Sequence, residues 1–89
     1  MSLLMAFQLS FAQKTVSGTV TDDNSVPLPG ATVIVEGTSN GVTTDFDGNY
    51  SISASEGDVL VVSFVGYSTG SATVGASSTL NFSLSPSSA

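Results

Sequence analysis

Residues 15–21 read Thr-Val-Ser-Gly-Thr-Val-Thr and show the pattern that dominates the chain. Val16, Gly18 and Val20 alternate with hydroxyl-bearing residues, so an extended backbone places small apolar groups on one face and hydroxyls on the other. Residues 22–25, Asp-Asp-Asn-Ser, follow with typical turn composition. This alternation, ended by a turn, predicts a β-strand with one buried and one solvated face.

The same period of two recurs along the chain, with Gly, Pro, Asn or Asp between the runs and no amphipathic helical pattern. The predicted strands cover residues 15–21, 31–36, 42–45, 50–53, 59–65, 68–74 and 79–84. The run at 59–65 is the most apolar and predicts a central strand, whereas the Ser/Thr-rich run at 68–74 predicts an edge strand. Seven short strands at this spacing predict an all-β, antiparallel β-sandwich of two packed sheets.

Two connecting segments have special turn chemistry. Residues 26–30, Val-Pro-Leu-Pro-Gly, contain two prolines that cannot donate to a sheet, so we predict an extended turn whose Leu28 plugs the end of the core. Asp47-Gly48 is a pair that tight hairpins favour, because the turn needs a positive φ. We therefore expect the strands at 42–45 and 50–53 to form a hairpin.

The N-terminal segment differs in composition from the rest. Residues 3–12 are apolar but too short to span a bilayer, and they end in Ser-Phe-Ala, with small residues at the positions that signal peptidase reads. We predict that residues 1–12 are a remnant of a secretory signal, truncated before its basic region and cleaved between Ala12 and Gln13. A core strand or buried helix is the alternative. Residues 13–85 then form the domain, and residues 86–89 begin a Ser-rich linker.

Composition narrows the function classes. One Lys stands against seven acidic residues, giving a net charge of −6, which argues against nucleic-acid and anionic membrane partners and against insertion of the mature domain into a membrane. The chain has no Cys and no His, so it can form no disulfide, and the usual ligands for zinc, copper and haem iron are missing. Calcium, which takes oxygen ligands, is the metal that this composition still allows.

One turn resembles a calcium-binding loop in its spacing. Four oxygen-bearing residues occupy positions 1, 3, 5 and 12 of an EF-hand loop: Asp45, Asp47, Asn49 and Glu56. However, Tyr50 stands where an EF-hand requires Gly, and strands rather than helices are predicted on both sides. Ordinary turn chemistry is therefore favoured, with no cofactor. The alternative is a calcium site of another type, made by the two carboxylates of this turn and one from residues 22–23.

Catalysis is not expected. The adjacent carboxylates at residues 22–23 and the nearby pair at residues 45 and 47 are in predicted turns, with no His, Lys or Arg to divide acid and base roles. The serines have no histidine to activate them, which excludes a Ser-His-Asp triad. We predict a protein that is not an enzyme and has no catalytic residues.

Two aromatic residues are candidates for binding. Phe46 lies at the tip of the predicted hairpin, where it would offer an exposed apolar contact. Tyr67 follows Gly66 at a predicted strand corner, where a tyrosine usually packs and ties its hydroxyl to the backbone. Sugar stacking by Tyr67 is the alternative.

Four motifs in order resemble a known family: residues 16–22 (VSGTVTD), 27–33 (PLPGATV), 43–52 (TTDFDGNYSI) and 62–67 (VSFVGY). Together they resemble the carboxypeptidase-regulatory-like domain over residues 15–85. The resemblance implies a transthyretin-like (prealbumin-like) sandwich with Greek-key topology and no helix in the mature domain.

The chain is most similar to the version of this domain found at the N-terminus of SusC/RagA-type TonB-linked outer-membrane receptors of Bacteroidota. That resemblance implies a periplasmic accessory or docking domain, with the receptor's plug and barrel as partners in cis and a possible periplasmic or outer-membrane protein partner. Such receptors import glycans or peptides, and this chain would be a fragment of one. The alternative is a free-standing secreted binding or adhesion module that recognises glycan or protein through the turns near Asp22, Phe46 and Tyr67.

Overall fold

The computed structural model describes residues 13–87, which form seven β-strands and no helix. In chain order they are β1 (Lys14–Asp22), β2 (Thr32–Val35), β3 (Gly41–Thr43), β4 (Asn49–Ala54), β5 (Val59–Ser63), β6 (Gly70–Thr73) and β7 (Phe82–Leu84). They build one sheet in the order β4-β1-β7 and a second in the order β3-β2-β5-β6. The predicted all-β sandwich is confirmed. The signal remnant predicted for residues 1–12 and the linker residues 88–89 lie outside the described residues.

The alternation in the sequence explains which faces are buried. In β1, Val16 and Val20 are fully buried, whereas Ser17 is exposed and Thr19 half-buried on the outer face. β4 pairs antiparallel with β1, with Val16 opposite Ile52, and its side chains alternate strictly between exposed and buried. Because side chains on a strand alternate between faces, the two inner faces meet as an apolar layer.

The core lies between the two sheets and closes at one end with a loop residue. Leu28 is only 6% exposed, which confirms the predicted plug. The other buried apolar residues come from all parts of the domain: Val16, Val20, Ala31, Val33, Val35, Tyr50, Ile52, Ala54, Leu60, Val62, Val74, Phe82 and Leu84. Six valines and one isoleucine make β-branched residues seven of these thirteen, and such residues suit packing between pleated sheets.

The positions of β5 and β6 in the sheet agree with the sequence prediction, but both strands are shorter than the predicted runs 59–65 and 68–74. β5 lies between β2 and β6, and β6 is the edge strand of that sheet. β5 ends at Ser63, however, and not at Val65. Gly66 has a φ of 88°, and the turn that it forms with Val65 leaves the valine 89% exposed. Turn geometry therefore overrides the apolar run at this point.

The predicted hairpin between residues 42–45 and 50–53 is wrong. β3 pairs with β2 in one sheet, and β4 pairs with β1 in the other. Gly48 has the expected positive φ of 78°, but the turn carries the chain from one sheet to the other. Val20 of β1 donates its backbone N–H to the Gly48 carbonyl at 2.8 Å. This bond holds the turn against the sheet that contains β1 and β4.

One strand pair departs from the antiparallel expectation. β7 runs parallel to β1, with Val20 opposite Phe82. The reason is the connection at residues 74–81, which leaves the edge strand β6 and crosses to the other sheet before β7 begins. A parallel neighbour needs such a crossover because a tight turn reverses direction.

Candidate functional site: an apolar end of the sandwich

Three loops and the C-terminal segment meet at one end of the sandwich. The loop between β1 and β2 joins the β3–β4 turn where Gly30 donates its N–H to the Thr44 carbonyl at 3.1 Å. The loop between β5 and β6 holds the segment after β7, because Ser87 donates its N–H to the Gly66 carbonyl at 2.9 Å. The strands thus bring to one place four stretches that are far apart in sequence.

A buried hydroxyl ties two of these loops together. Thr44 is only 6% exposed, and its Oγ1 donates to the Leu28 carbonyl at 2.6 Å. The same oxygen accepts the backbone N–H of Ala31 at 2.9 Å. A hydroxyl with both a donor and an acceptor partner is satisfied inside the core, so the proline-rich loop is held rigidly beside the β3–β4 turn.

The outer surface of this end is apolar. Phe46 is 93% exposed and Val65 is 89% exposed. Two open grooves, of about 480 and 460 Å³, lie side by side and share Gly30 as a common wall. We call the surface formed by six residues around these grooves the aromatic end: Pro29, Gly30, Phe46, Phe64, Val65 and Tyr67.

Phe64 and Tyr67 form the more rigid half of the aromatic end. Their ring centroids are 5.8 Å apart and the rings are tilted by 41°, a favourable geometry for aromatic pairs. Both are partly buried against the core, and Tyr67 forms an isolated antiparallel bridge with Pro86. This packing agrees with the structural role favoured for Tyr67, and its part in binding stays a prediction.

Charge at the aromatic end is entirely negative. Four of the seven acidic residues lie in its loops or the turn beside them: Asp22, Asp23, Asp45 and Asp47. The single Lys is at the opposite end, where Lys14 Nζ donates to the carbonyls of Gly75 and Ala76 at 2.7 and 3.0 Å. A partner would therefore meet an apolar surface bordered by carboxylates without a neutralising cation.

Two of these carboxylates are used to build their own turns. Asp45 Oδ1 accepts the backbone N–H groups of Asp47 and Asn49, both at 2.9 Å. Asp22 Oδ1 does the same for the N–H groups of Asn24 and Val26, at 2.8 and 2.9 Å. Within residues 13–87, no group of three or more acidic side chains is placed to hold a metal ion. The calcium alternative at Asp45 and Asp47 stays a prediction.

The structure brings some predicted site residues together and adds others. Phe46 and Tyr67, predicted separately, lie on the same surface, with Asp45 lining the groove beside Phe46. Sequence reasoning missed Gly30 and Val65, the first treated as a turn residue and the second as part of a strand. The signal for Val65 was the glycine that follows it, because a glycine with positive φ ends a strand.

A family comparison identifies the domain. Residues 16–89 match the family described as the CarboxypepD_reg-like domain. Over 59 residues, covering 65% of this chain, the chain is 54% identical to the TonB-dependent receptor SusC of Bacteroides thetaiotaomicron. Over 75 residues, covering 84% of the chain, it is 45% identical to the TonB-dependent receptor P26 of Formosa agariphila. The chain spans only 6% and 8% of the length of these two relatives.

Solved structures show the same architecture. A chain of the type II Cohesin-X-Dockerin complex from Acetivibrio cellulolyticus, in a C-terminal interface mutant, matches with a TM-score of 0.60 and 25% identity. The match covers 78% of this chain and 51% of that chain. Together with the family match over residues 16–89, these findings show that the chain belongs to the CarboxypepD_reg-like domain family.

Proposed function

We propose that the chain is a non-catalytic, periplasmic docking domain of a TonB-dependent outer-membrane receptor that imports a glycan or peptide. The relatives are TonB-dependent receptors, and the chain matches 6–8% of their length. Such a small part of a receptor suits an accessory role, and we assign ligand transport to the rest of the receptor. No helix long and apolar enough to cross a membrane occurs in the described part of the chain.

The observation that carries the docking role is the aromatic end. Burying a large apolar side chain stabilises a protein by about 1.5–3 kcal/mol, so a domain of this size gains nothing from leaving Phe46 and Val65 in water. Exposed apolar surface that is bordered by polar groups is typical of a protein interface. The aromatic end has both features.

Several observations support a non-catalytic role. The chain has no His or Cys, and its single Lys lies away from the aromatic end, on carbonyls of the β6–β7 connection. Asp22 and Asp45 each use one carboxylate oxygen to accept two backbone N–H groups of their own turns. General acid–base catalysis needs groups that divide the acid and base roles beside a substrate, and no His, Lys or Arg lies beside the carboxylates of the aromatic end among residues 13–87.

The gene provides the first experiment. If the reading frame continues past Ala89 into the polypeptide of a TonB-dependent receptor, the chain is a domain of that receptor. A stop codon directly after Ala89 would overturn the proposal and favour a free-standing secreted module.

A deletion tests the role itself. Removing residues 13–87 from the full-length receptor, with its signal retained, is expected to lower receptor abundance in the outer membrane or nutrient uptake. The matched control is the triple variant of three exposed outer-face serines and threonines, Thr15→Ala, Ser51→Ala and Ser53→Ala, which should behave like the natural receptor. Unchanged abundance and uptake after the deletion would contradict a docking role.

A further inference from the structure

We infer, on the basis of the proposed function, that the aromatic end docks onto a segment of the receptor's own polypeptide that follows this domain. The segment presents apolar side chains next to Lys or Arg. Apolar surface, groove shape, charge and the exit path of the chain each contribute to this inference.

The shape of the surface fits an extended polypeptide. The groove beside Phe46 and the groove beside Phe64 are neighbours that share Gly30 in their lining. A Cβ at Gly30 would lie in ordinary contact with the Phe64 ring, at 3.9 Å, and the φ of +83° favours glycine there. Two neighbouring grooves suit an extended segment, whose side chains at alternate positions could occupy one groove each.

The floor of these grooves is pre-organised. Thr44 fixes the loop that carries Pro29 and Gly30 through its two buried hydrogen bonds. Phe64 is held by ring packing on Tyr67. A surface that is already ordered loses little conformational entropy when a partner binds, so a modest contact area gives useful affinity.

Charge defines the chemistry of the partner. Asp45 lines the groove beside Phe46, and Asp47 is exposed one residue beyond it. Asp22 and Asp23 lie in the neighbouring turn, with no cation at this end among residues 13–87. Opposite charges across an interface speed association and exclude wrong partners, so Lys or Arg beside apolar side chains is the complementary pattern.

The exit path of the chain points to a partner in cis. Ser68 donates its N–H to the Ser85 carbonyl at 2.8 Å, and Ser87 donates to the Gly66 carbonyl at 2.9 Å. Residues 85–87 are thereby held against residues 66–68, so Ser87, the last described residue, lies beside the turn that contains Val65. A short tether gives an effective concentration in the millimolar range, so a weak contact in cis is populated.

A glycan partner fits this surface less well. Sugar sites combine an aromatic platform with polar groups aimed at the hydroxyls. Phe46 offers no polar group, and Asp45 Oδ1 already accepts two backbone N–H groups. The groove beside Phe64 carries hydroxyls from Thr32, Ser63, Tyr67 and Thr69, but the groove beside Phe46 is mainly apolar. Its apolar lining and the carboxylate of Asp45 at its border favour a cationic, apolar protein segment.

Site-specific photo-cross-linking in the full-length receptor tests the inference. Phe46→p-benzoylphenylalanine places the reactive group on the aromatic end, and Ser51→p-benzoylphenylalanine, on the exposed face of β4, is the matched control. After irradiation of intact cells, peptide mapping is expected to show an intramolecular link from position 46 to a Lys- or Arg-containing segment beyond the domain. No such link is expected from position 51.

A charge-matched pair of variants tests the electrostatic part. Asp23→Asn with Asp47→Asn should lower the yield of the position-46 link by about twofold or more, because Asp47 follows Phe46 directly and Asp23 is in the exposed turn after β1 at the same end of the sandwich. Glu36→Gln with Glu56→Gln removes the same charge from exposed residues at the opposite end and should leave the yield unchanged. Equal yields in the two double variants would overturn the charge complementarity.

The outcomes separate this inference from the proposed function. Links from position 46 no stronger than those from position 51, or links only to another protein or to glycan, overturn docking in cis. The receptor could then still lose activity on deletion of the domain, in which case the docking role stands with another surface. If the deletion has no effect, the proposed function fails whatever the cross-links show.

Discussion

Thr44 shows how one polar side chain organises the aromatic end. Its hydroxyl is buried and has two backbone partners, the Leu28 carbonyl and the Ala31 N–H. Leu28 plugs the core and Gly30 lines both grooves, so the same residue serves stability and site geometry. A buried backbone group that loses its partner costs about 1–3 kcal/mol.

Replacing this hydroxyl should destabilise the domain. Thr44→Val keeps the shape but leaves the Leu28 carbonyl without its hydroxyl donor and the Ala31 N–H without its acceptor, so we expect a loss of about 2–5 kcal/mol in the free energy of unfolding. Urea denaturation measures it. Thr43→Val, at the exposed neighbouring position, is the control and should stay within about 0.5 kcal/mol. Equal effects at the two positions would contradict this role.

Tyr50 is a buried tyrosine whose ionisation is perturbed by the fold. It is 4% exposed, and its hydroxyl donates to the Leu80 carbonyl at 2.5 Å. Burial, which disfavours the charged phenolate, raises the pKa of Tyr50 from 10.0 to about 12. The folded protein therefore keeps this proton at a pH where the unfolded chain releases it.

This difference predicts alkaline destabilisation with a defined window. The contribution of the Tyr50 proton to the free energy of unfolding is fully present below pH 10. It is lost as the pH rises towards about 12, by about 1.4 kcal/mol per pH unit. The measurement is the free energy of unfolding across this range for the natural chain and for Tyr50→Phe. The difference between the two should shrink as the pH rises, because the variant has no phenol to ionise. Parallel curves would show that the pKa of Tyr50 is not raised.

The contact between β1 and the segment before β7 depends on a missing side chain. A Cβ on Gly18 would lie 1.8 Å from the Leu80 carbonyl oxygen, far inside contact distance. Leu80 donates its N–H to the Ser17 carbonyl at 2.9 Å, and Asn81 Oδ1 accepts the N–H of Thr19 at 2.9 Å. Since Tyr50 pairs with Gly18 across the strands, its hydroxyl reaches the same Leu80 carbonyl.

Adding a methyl group at Gly18 should displace the segment around Leu80. Gly18→Ala is expected to lower the free energy of unfolding by about 2–4 kcal/mol, because the clash is with backbone and cannot be relieved by a rotamer change. Gly75→Ala is the control, since a Cβ there has no neighbour within 4 Å. Thermal melts of the two variants give the comparison, and equal melting temperatures would contradict the close approach.

The turn at residues 45–49 is stabilised by the Asp45 carboxylate, which is also one of the candidate calcium ligands. A site with a Kd of about 1 mM would gain about 1.4 kcal/mol at about 10 mM calcium. In a domain of this size, each kcal/mol raises the melting temperature by about 4–8 °C. Because Asp45 Oδ1 already accepts two N–H groups, we expect equal melting temperatures in calcium and in chelator. A rise that Asp47→Asn abolishes would instead establish the calcium site.

On the scale of the whole molecule, the two termini of the domain lie at opposite ends. Gln13 borders a groove with residues 55–58, whereas Ser87 is bonded to Gly66 beside the aromatic end. A cleaved signal would therefore leave from the end that carries no exposed aromatic residue within residues 13–87. The last described residue, Ser87, is thus at the same end of the sandwich as Phe46 and Val65.

The export prediction has a direct test. Expressed with a complete signal in a bacterium of the relatives' group, the mature protein should begin at Gln13, because Ser10 and Ala12 are the small residues that signal peptidase reads. Mass spectrometry of the periplasmic fraction gives the N-terminus. A mature chain that retains residues 1–12 would overturn the predicted cleavage, and Ala12→Asp should block processing if the prediction is right.

Part of the candidate site was readable from the sequence. Phe46 stands beside an Asp-Gly pair in a turn, which predicted its exposure, and Leu28 between two prolines predicted the plug. The shared place of Gly30 in both grooves and the buried bonds of Thr44 were not readable, since each depends on residues more than ten positions apart. Local pattern reports exposure and burial, but not which loops meet.

The sequence by itself determined the strands, their buried faces and the family motifs, because alternation and turn composition are local properties of the chain. Only the tertiary structure decided the partners of the strands. An Asp-Gly turn has the same local chemistry whether it closes a hairpin or carries the chain between sheets, so the assignment of β3 and β4 to different sheets rests on long-range pairing. The parallel β1–β7 pair and the aromatic end follow from those same long-range contacts, which no single segment encodes.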